Sequence, residues 1–184
     1  MNILQIDSSI SGEASVTRHL TASIVKRLAE ADPAATIIHR DLAAQPLPHL
    51  TLEDAADHRM VDEFLAADAV VVGAPMYNFT LPTQLKAWID RLLVPGRTFR
   101  YTEAGSPEGL AGGTRVIVAL ARGDFYSAGT PAAAVEHLET YLRDVFGFIG
   151  SMPQFVIADG IAIGPEQRER AMGAALHAID LIAA

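Results

Sequence analysis

Cysteine is absent from the 184 residues, which excludes disulfides, thiolate nucleophiles and Cys-based metal sites at once. Half of the chain is apolar, yet no apolar run reaches the ~20 residues that a membrane-spanning helix needs. The N-terminus has no basic-then-apolar layout, because Asp7 and the serines after it interrupt the first apolar run. His19, His39, His49, His58, His137 and His177 fall in no H-x-x-x-H or H-E-x-x-H spacing, so no metal site is expected. Positive charge is scarce: 14 Lys and Arg stand against 22 Asp and Glu, a net charge of −8. That balance argues against a nucleic-acid partner, whose phosphates call for a basic face. These absences lead us to expect a cytoplasmic protein with neither nucleic-acid nor membrane partners.

What is present alternates between two kinds of segment. Short runs dense in Val and Ile, flanked by Gly, Pro or Asp, predict strands at Ile3–Asp7, Thr36–His39, Ala69–Ala74, Arg115–Ala121 and Gln154–Ala158. Such runs suit parallel strands covered on both faces. Helical stretches are predicted at Ser15–Ala31, Leu52–Ala66, Leu81–Leu93, Pro131–Phe146 and Pro165–Ile182, with Pro82, Pro131 and Pro165 near helix starts. No repeat, linker or low-complexity segment divides the chain, so one domain spanning residues 1–184 is expected. The alternation predicts an α/β fold: a doubly wound, five-stranded parallel sheet with helices on both faces. One insertion, Val94 to Gly113, stands apart. Its Arg97–Thr102 stretch alternates polar and aromatic residues and predicts a small hairpin outside the sheet.

In an open α/β sheet, ligands sit beyond the carboxyl ends of the strands where the strand order reverses. Three loops there carry suitable residues. After the first strand come Ser8, Ser9, Ser11, Ser15 and Thr17, and no Lys or Arg precedes Arg18. Hydroxyls, free amides and a helix N-terminus can hold a phosphate without a cation. The spacing is neither G-x-x-x-x-G-K-[ST] nor G-x-G-x-x-G, which turns the reading away from nucleoside triphosphates and dinucleotides. Alternatively, Ser15 or Ser11 simply caps the helix. After the third strand, Met76-Tyr77-Asn78-Phe79 puts large residues where a mere turn would favour small ones. Tyr77 and Phe79 could flank a flat ring, with Asn78 offering donors and an acceptor to its polar edge; the alternative is packing against the next helix. After the fourth strand, Gly123 permits close approach and Arg122 offers a positive charge, unless a carboxylate pairs with it. In the order 2-1-3-4-5 these three strand ends are neighbours.

At these residues the chain resembles the FMN-dependent NADH:quinone oxidoreductase/azoreductase family, a branch of the flavodoxin-like fold. The likeness rests on Ala74-Pro75-Met76-Tyr77-Asn78-Phe79, Thr98-Phe99-Arg100-Tyr101-Thr102-Glu103, Pro107-Glu108-Gly109-Leu110, Gly147-Phe148-Ile149-Gly150 and Gly160-Ile161-Ala162. It implies FMN and NADH as cofactors, with Ser9, Ser15, Val16 and Thr17 at the FMN phosphate. Met76, Tyr77, Asn78 and Phe79 would run along the ring, and Ala121, Arg122, Gly123 and Asp124 would form a second flavin-contacting loop. The family pattern at that loop commonly reads Ser-Arg-Gly-Gly. Ala121 therefore lacks a hydroxyl, and Asp124 adds a carboxylate that would lower the flavin potential. The resemblance further implies a homodimer in which both subunits line each site, with Tyr101 and Phe148 on the substrate side. Between Leu50 and Ala67 the chain is shorter than in members carrying a long lid-like helix.

The reaction so implied is a ping-pong transfer in which NADH gives up a hydride and a quinone or azo compound then leaves with the two electrons. Because the cofactor carries that chemistry, no catalytic side chain is expected. Two rivals remain. A flavodoxin-like electron shuttle would bind FMN without turning over small substrates; against it, the Val94–Gly113 insertion would cover the ring. A hydrolase would use Ser9 or Ser15 as nucleophile; against it, there is no G-x-S-x-G elbow and no histidine near either serine in sequence.

Overall fold

The computed structural model describes residues 1–53 and 56–183. Five parallel strands form one sheet: β1 (Asn2–Asp7), β2 (Thr36–Asp41), β3 (Ala69–Pro75), β6 (Arg115–Arg122) and β7 (Gln154–Asp159), in the order β2-β1-β3-β6-β7. Numbered within this sheet alone, that is 2-1-3-4-5, and all five expected strands form. β3 is buried at every residue and β6 at all but its first, as Val-rich central strands should be. β2 departs from the expectation of two covered faces. It is an edge strand whose Ile37 and Ile38 remain 46% and 44% exposed.

Helices cover both faces. α1 (Val16–Ala31) and α5 (Pro165–Asp180) lie on one, where Leu20, Ile24, Ala175 and Ile179 pack with Ile3, Val71 and Ile117. α2 (Arg59–Leu65), α3 (Thr83–Ile89) and α4 (Glu139–Phe148) lie on the other, where Phe64, Leu85, Trp88 and Phe146 pack with Leu4, Val70 and Val118. The alternation of inward residues along β1 and β3 sends neighbours to opposite cores.

Three helices are shorter than the sequence predicts. Of the expected Leu52–Ala66 helix, Arg59–Leu65 is helical, and Asp54 and Ala55 lie outside the described residues. α3 begins at Thr83 because Pro82 is its extended N-cap (φ −59°, ψ 146°). It ends at Ile89, where Arg91 turns its guanidinium back onto Ala87 O and across to Pro48 O, both at 2.8 Å. Pro131 starts no α-helix; a 3-10 turn at Ala133–Val135 intervenes before α4. The Glu136 carboxylate sets that later start by accepting the amides of Leu138, Glu139 and Thr140 at 2.9, 2.7 and 3.1 Å. Burial raises the Glu136 pKa, but those amides outweigh it and hold the carboxyl below its ordinary range.

The expected hairpin forms outside the main sheet from β4 (Phe99–Tyr101) and β5 (Pro107–Gly109). It docks on the end of α4: Ala111 N–H donates to Ile149 O at 2.8 Å, and the Phe99 and Phe148 rings lie 4.8 Å apart. Gly109 makes this possible, because a Cβ there would stand 2.2 Å from Gly150 N. Two of the motif segments, Pro107–Leu110 and Gly147–Gly150, are therefore two sides of one backbone contact.

Candidate functional site

At the carboxyl ends of β1, β3 and β6 the sheet opens into a cleft of about 350 Å³. The volume is that of a small-molecule site. Each wall comes from a different strand end.

The first wall is the segment Ser8–Thr17. Ser8 Oγ donates to Gly73 O at 2.6 Å, which ties the end of β1 to β3. Ser9 and Ser15 are buried, as are Val16 and Thr17. Ser9 Oγ lies 3.2 Å from the Tyr77 hydroxyl and accepts Ser11 N–H at 3.2 Å. Ser15 is indeed the N-cap of α1, accepting Arg18 N–H at 3.3 Å, and its hydroxyl also meets Thr17 Oγ1 at 3.1 Å. Capping does not remove it from the cleft, which Ser9, Ser11, Ser15, Val16 and Thr17 all line. The first helical hydrogen bond is made by His19 N–H to Ser15 O, at 3.3 Å. The amides of Val16 and Thr17 precede it and have no carbonyl of the helix to bind.

Arg18 is occupied elsewhere. Its guanidinium bridges both Asp41 carboxylate oxygens at 2.7 Å and donates to Ser9 O at 2.9 Å, bracing the loop from behind. Arg18 is the main reason the Asp41 carboxyl falls from its ordinary 3.8 to about 2. A carboxylate with a depressed folded pKa adds stability that is complete above 3.8 and fades as the pH drops to about 2. Asp41→Asn is therefore expected to flatten the acid limb of the stability curve. Denaturation at pH 7 and pH 3 checks this: the parent should lose stability between the two, and the variant distinctly less.

The second wall follows β3: Pro75, Met76 and Tyr77 line the cleft. Tyr77 N–H donates to Thr80 O at 2.9 Å and Thr80 N–H returns to Tyr77 O at 3.2 Å. Between them Asn78 and Phe79 both hold positive φ, 47° and 73°. That is the backbone of a type I′ turn, in which a bulky aromatic is a costly occupant. The turn is pinned by His137 N–H, which donates to Phe79 O at 3.0 Å, and by Thr80 Oγ1 on His137 O at 3.2 Å. Asn78 and Phe79 do not line the cleft; they stand exposed just beyond it.

Ala121 and Gly123 of the third wall line the cleft, but Arg122 and Asp124 do not. Arg122 is 1% exposed and points away from it, onto Asp159 of β7 at 2.5 and 2.7 Å, Glu139 at 3.3 Å and Glu136 at 3.7 Å. The positive charge expected for a ligand is thus already neutralised. Register explains it, since Arg122 and Asp159 are partners across β6 and β7. Asp124 is exposed, with its carboxylate on Phe125 N–H at 2.8 Å. Tyr101 and Phe148 lie with the hairpin, also outside the cleft of this chain.

The sequence reading missed the fourth wall. Ile161, Ala162 and Arg168, which precede and open α5, complete the lining of the cleft. A more open cleft of about 710 Å³ lies beyond β7, around Arg122, Asp159, Gln167 and Arg170. Its principal charges, Arg122 and Asp159, are bonded to each other, so the smaller cleft is the better ligand site. No histidine lines it, and both Ser9 and Ser15 have only hydroxyl and amide partners among the described residues. A serine without a base is not an activated nucleophile, which removes the hydrolase. A flat-ringed phosphate ester fits what remains: hydroxyls and free amides at one end, Met76 and Tyr77 beside the middle.

The flavodoxin-like fold family model matches residues 1–182. The FMN-dependent NADH:quinone oxidoreductase 2 of Bradyrhizobium diazoefficiens is 53% identical, over 97% of this chain and 96% of that protein. The FMN-dependent NADH:quinone oxidoreductase of Rhizobium meliloti is 55% identical, over 95% of this chain and 93% of its own. Among solved structures, an azoreductase from Bacillus anthracis superposes with a TM-score of 0.88 at 29% identity, covering 98% of this chain and 97% of that one.

Proposed function

The chain belongs to the FMN-dependent NADH:quinone oxidoreductases of the flavodoxin-like fold, and from that premise we propose that it oxidises NADH and reduces quinones and aromatic azo compounds. The observation that carries the proposal is the cleft, in which hydroxyls, unpaired helix amides and a Met-Tyr segment meet where the strand order reverses. Bound there, FMN supplies the ring that takes up and passes on hydride. The protein's own work is to hold and orient. Ser9, Ser15, Thr17 and the first-turn amides of α1 bind the phosphate end. Met76 and Tyr77 flank the ring, and the small residues Ala121 and Gly123 leave it room. No His or Lys lines the cleft among the described residues, so proton exchange with the product falls to water.

The proposal includes a homodimer. Ile10, Phe79 and Phe125, one from each strand-end loop, are 68%, 48% and 42% exposed, and Tyr101 on the hairpin is 64% exposed. Large apolar side chains left exposed on the strand-end loops and the hairpin suit a surface that another chain covers. Tyr101 and Phe148, remote from the cleft of their own chain, would then serve the partner's substrate side.

Steady-state kinetics of the FMN-loaded protein test the reading. The expected result is quinone-dependent NADH consumption, with parallel double-reciprocal lines as one substrate is varied at several levels of the other. Tight FMN binding without quinone-dependent NADH consumption would instead make the protein a shuttle. Sedimentation should give twice the mass of one chain.

A further inference from the structure

The first loop offers hydroxyls and amides but no cation of its own, since Arg18 is bridged to Asp41 behind it. One charged residue does line the cleft among the described residues: Arg168, in the first turns of α5. Its place is electrostatically unfavourable to the helix, whose N-terminal end favours anions over cations. Seven other arginines among the described residues pair with carboxylates, namely Arg18, Arg40, Arg59, Arg97, Arg100, Arg122 and Arg143. Arg168 pairs with no carboxylate of the described residues, although the chain carries a net charge of −8. Among those residues its guanidinium makes a single hydrogen bond, from Nη2 to Ala14 O at 3.1 Å. Ala14 immediately precedes Ser15, the cap of α1. The bond therefore holds the guanidinium beside the hydroxyls and free amides, with most of its five N–H donors unused.

We propose that Arg168 binds the phosphate of FMN, pairing its guanidinium with the phosphate oxygens beside Ser15 and Thr17. The inference rests on the proposed FMN site and deepens it. It makes phosphate recognition partly ionic, where the first loop alone would leave it to hydroxyls, amides and a helix dipole. Arginine suits the task because its planar fork can give two parallel bonds to a phosphate while keeping the one to Ala14.

Riboflavin, which lacks the phosphate, separates this role from a structural one. FMN and riboflavin affinities are measured by flavin fluorescence quenching for the parent, R168A and R168K, at low and high salt. For R168A we expect FMN affinity to fall roughly 10- to 100-fold, the range of a lost charge-assisted hydrogen bond, while riboflavin affinity stays within about twofold. The salt dependence of FMN binding should be steeper in the parent than in R168A, and R168K should recover part of the loss. Equal weakening of FMN and riboflavin would assign Arg168 to holding the Ala14 segment and overturn the proposal, as would unchanged FMN affinity in R168A. A parent protein that binds neither flavin would overturn the FMN site itself.

Discussion

Arg122→Met is expected to lower the stability of the fold by about 3–5 kcal/mol at pH 7, the usual consequence of removing one partner from a buried ionic cluster. Arg122 lies 1% exposed among Asp159, Glu139 and Glu136. A methionine keeps much of the apolar stem but leaves Asp159 and Glu136 without a cation and Glu139 with Arg143 alone. The clustered negative charges repel one another in the folded variant, so protonation relieves the folded state more than the unfolded chain. Proton uptake by the folded variant therefore lets part of the lost stability recover as the pH falls. The gap between parent and variant should therefore narrow from pH 7 to pH 5, as read from urea denaturation at the two values. A deficit under about 1 kcal/mol with no pH dependence would show that the cluster is not held together by this charge. The consequence reaches the cleft, because Ala121 and Gly123 flank Arg122 and line its third wall.

Gly109→Ala should be nearly as severe, for a steric reason. The added Cβ would fall 2.2 Å from Gly150 N and 2.3 Å from Ile149 C, both backbone atoms. No rotamer relieves such a clash, so the β4–β5 hairpin must lift from α4. That sacrifices the Ala111–Ile149 hydrogen bond and the packing of Phe99 on Phe148. Overpacking alone costs about 1–3 kcal/mol. Together with the lost contacts we expect about 3 kcal/mol, or roughly 6–12 °C in melting temperature for a chain of this size. FMN affinity should hardly change, because no residue of the hairpin lines the cleft. Quinone turnover should fall, because Tyr101 moves with the hairpin. An unaltered melting temperature would mean that the two backbones are not pressed together as described.

Much of this was legible in the sequence because strand and helix signals are local. β6 shows it well: Arg115–Arg122 carries an unbroken apolar interior, and seven of its eight residues are buried in succession. What was not legible depends on residues far apart. The start of α4 is set by the Glu136 carboxylate, which outweighs the helix-start signal of Pro131. The fate of Arg122 is set by Asp159, 37 residues later; aligning the ends of the last two parallel strands would have exposed it. The left-handed Asn78-Phe79 pair gave no warning, since the Asn-Gly or Asp-Gly signature of a type I′ turn is missing. Arg168 is 154 residues from the loop that it touches, and only the folding of α5 against α1 brings it there. The cleft's hydroxyls could be read from the chain, but its cation could not.

The most direct test of the central claim is the anaerobic visible spectrum of the protein with stoichiometric FMN, recorded before and after one equivalent of NADH. The account predicts a flavin band shifted on binding, bleached by NADH and restored by a quinone. An unperturbed band, or a bound flavin that NADH leaves oxidised, would contradict it.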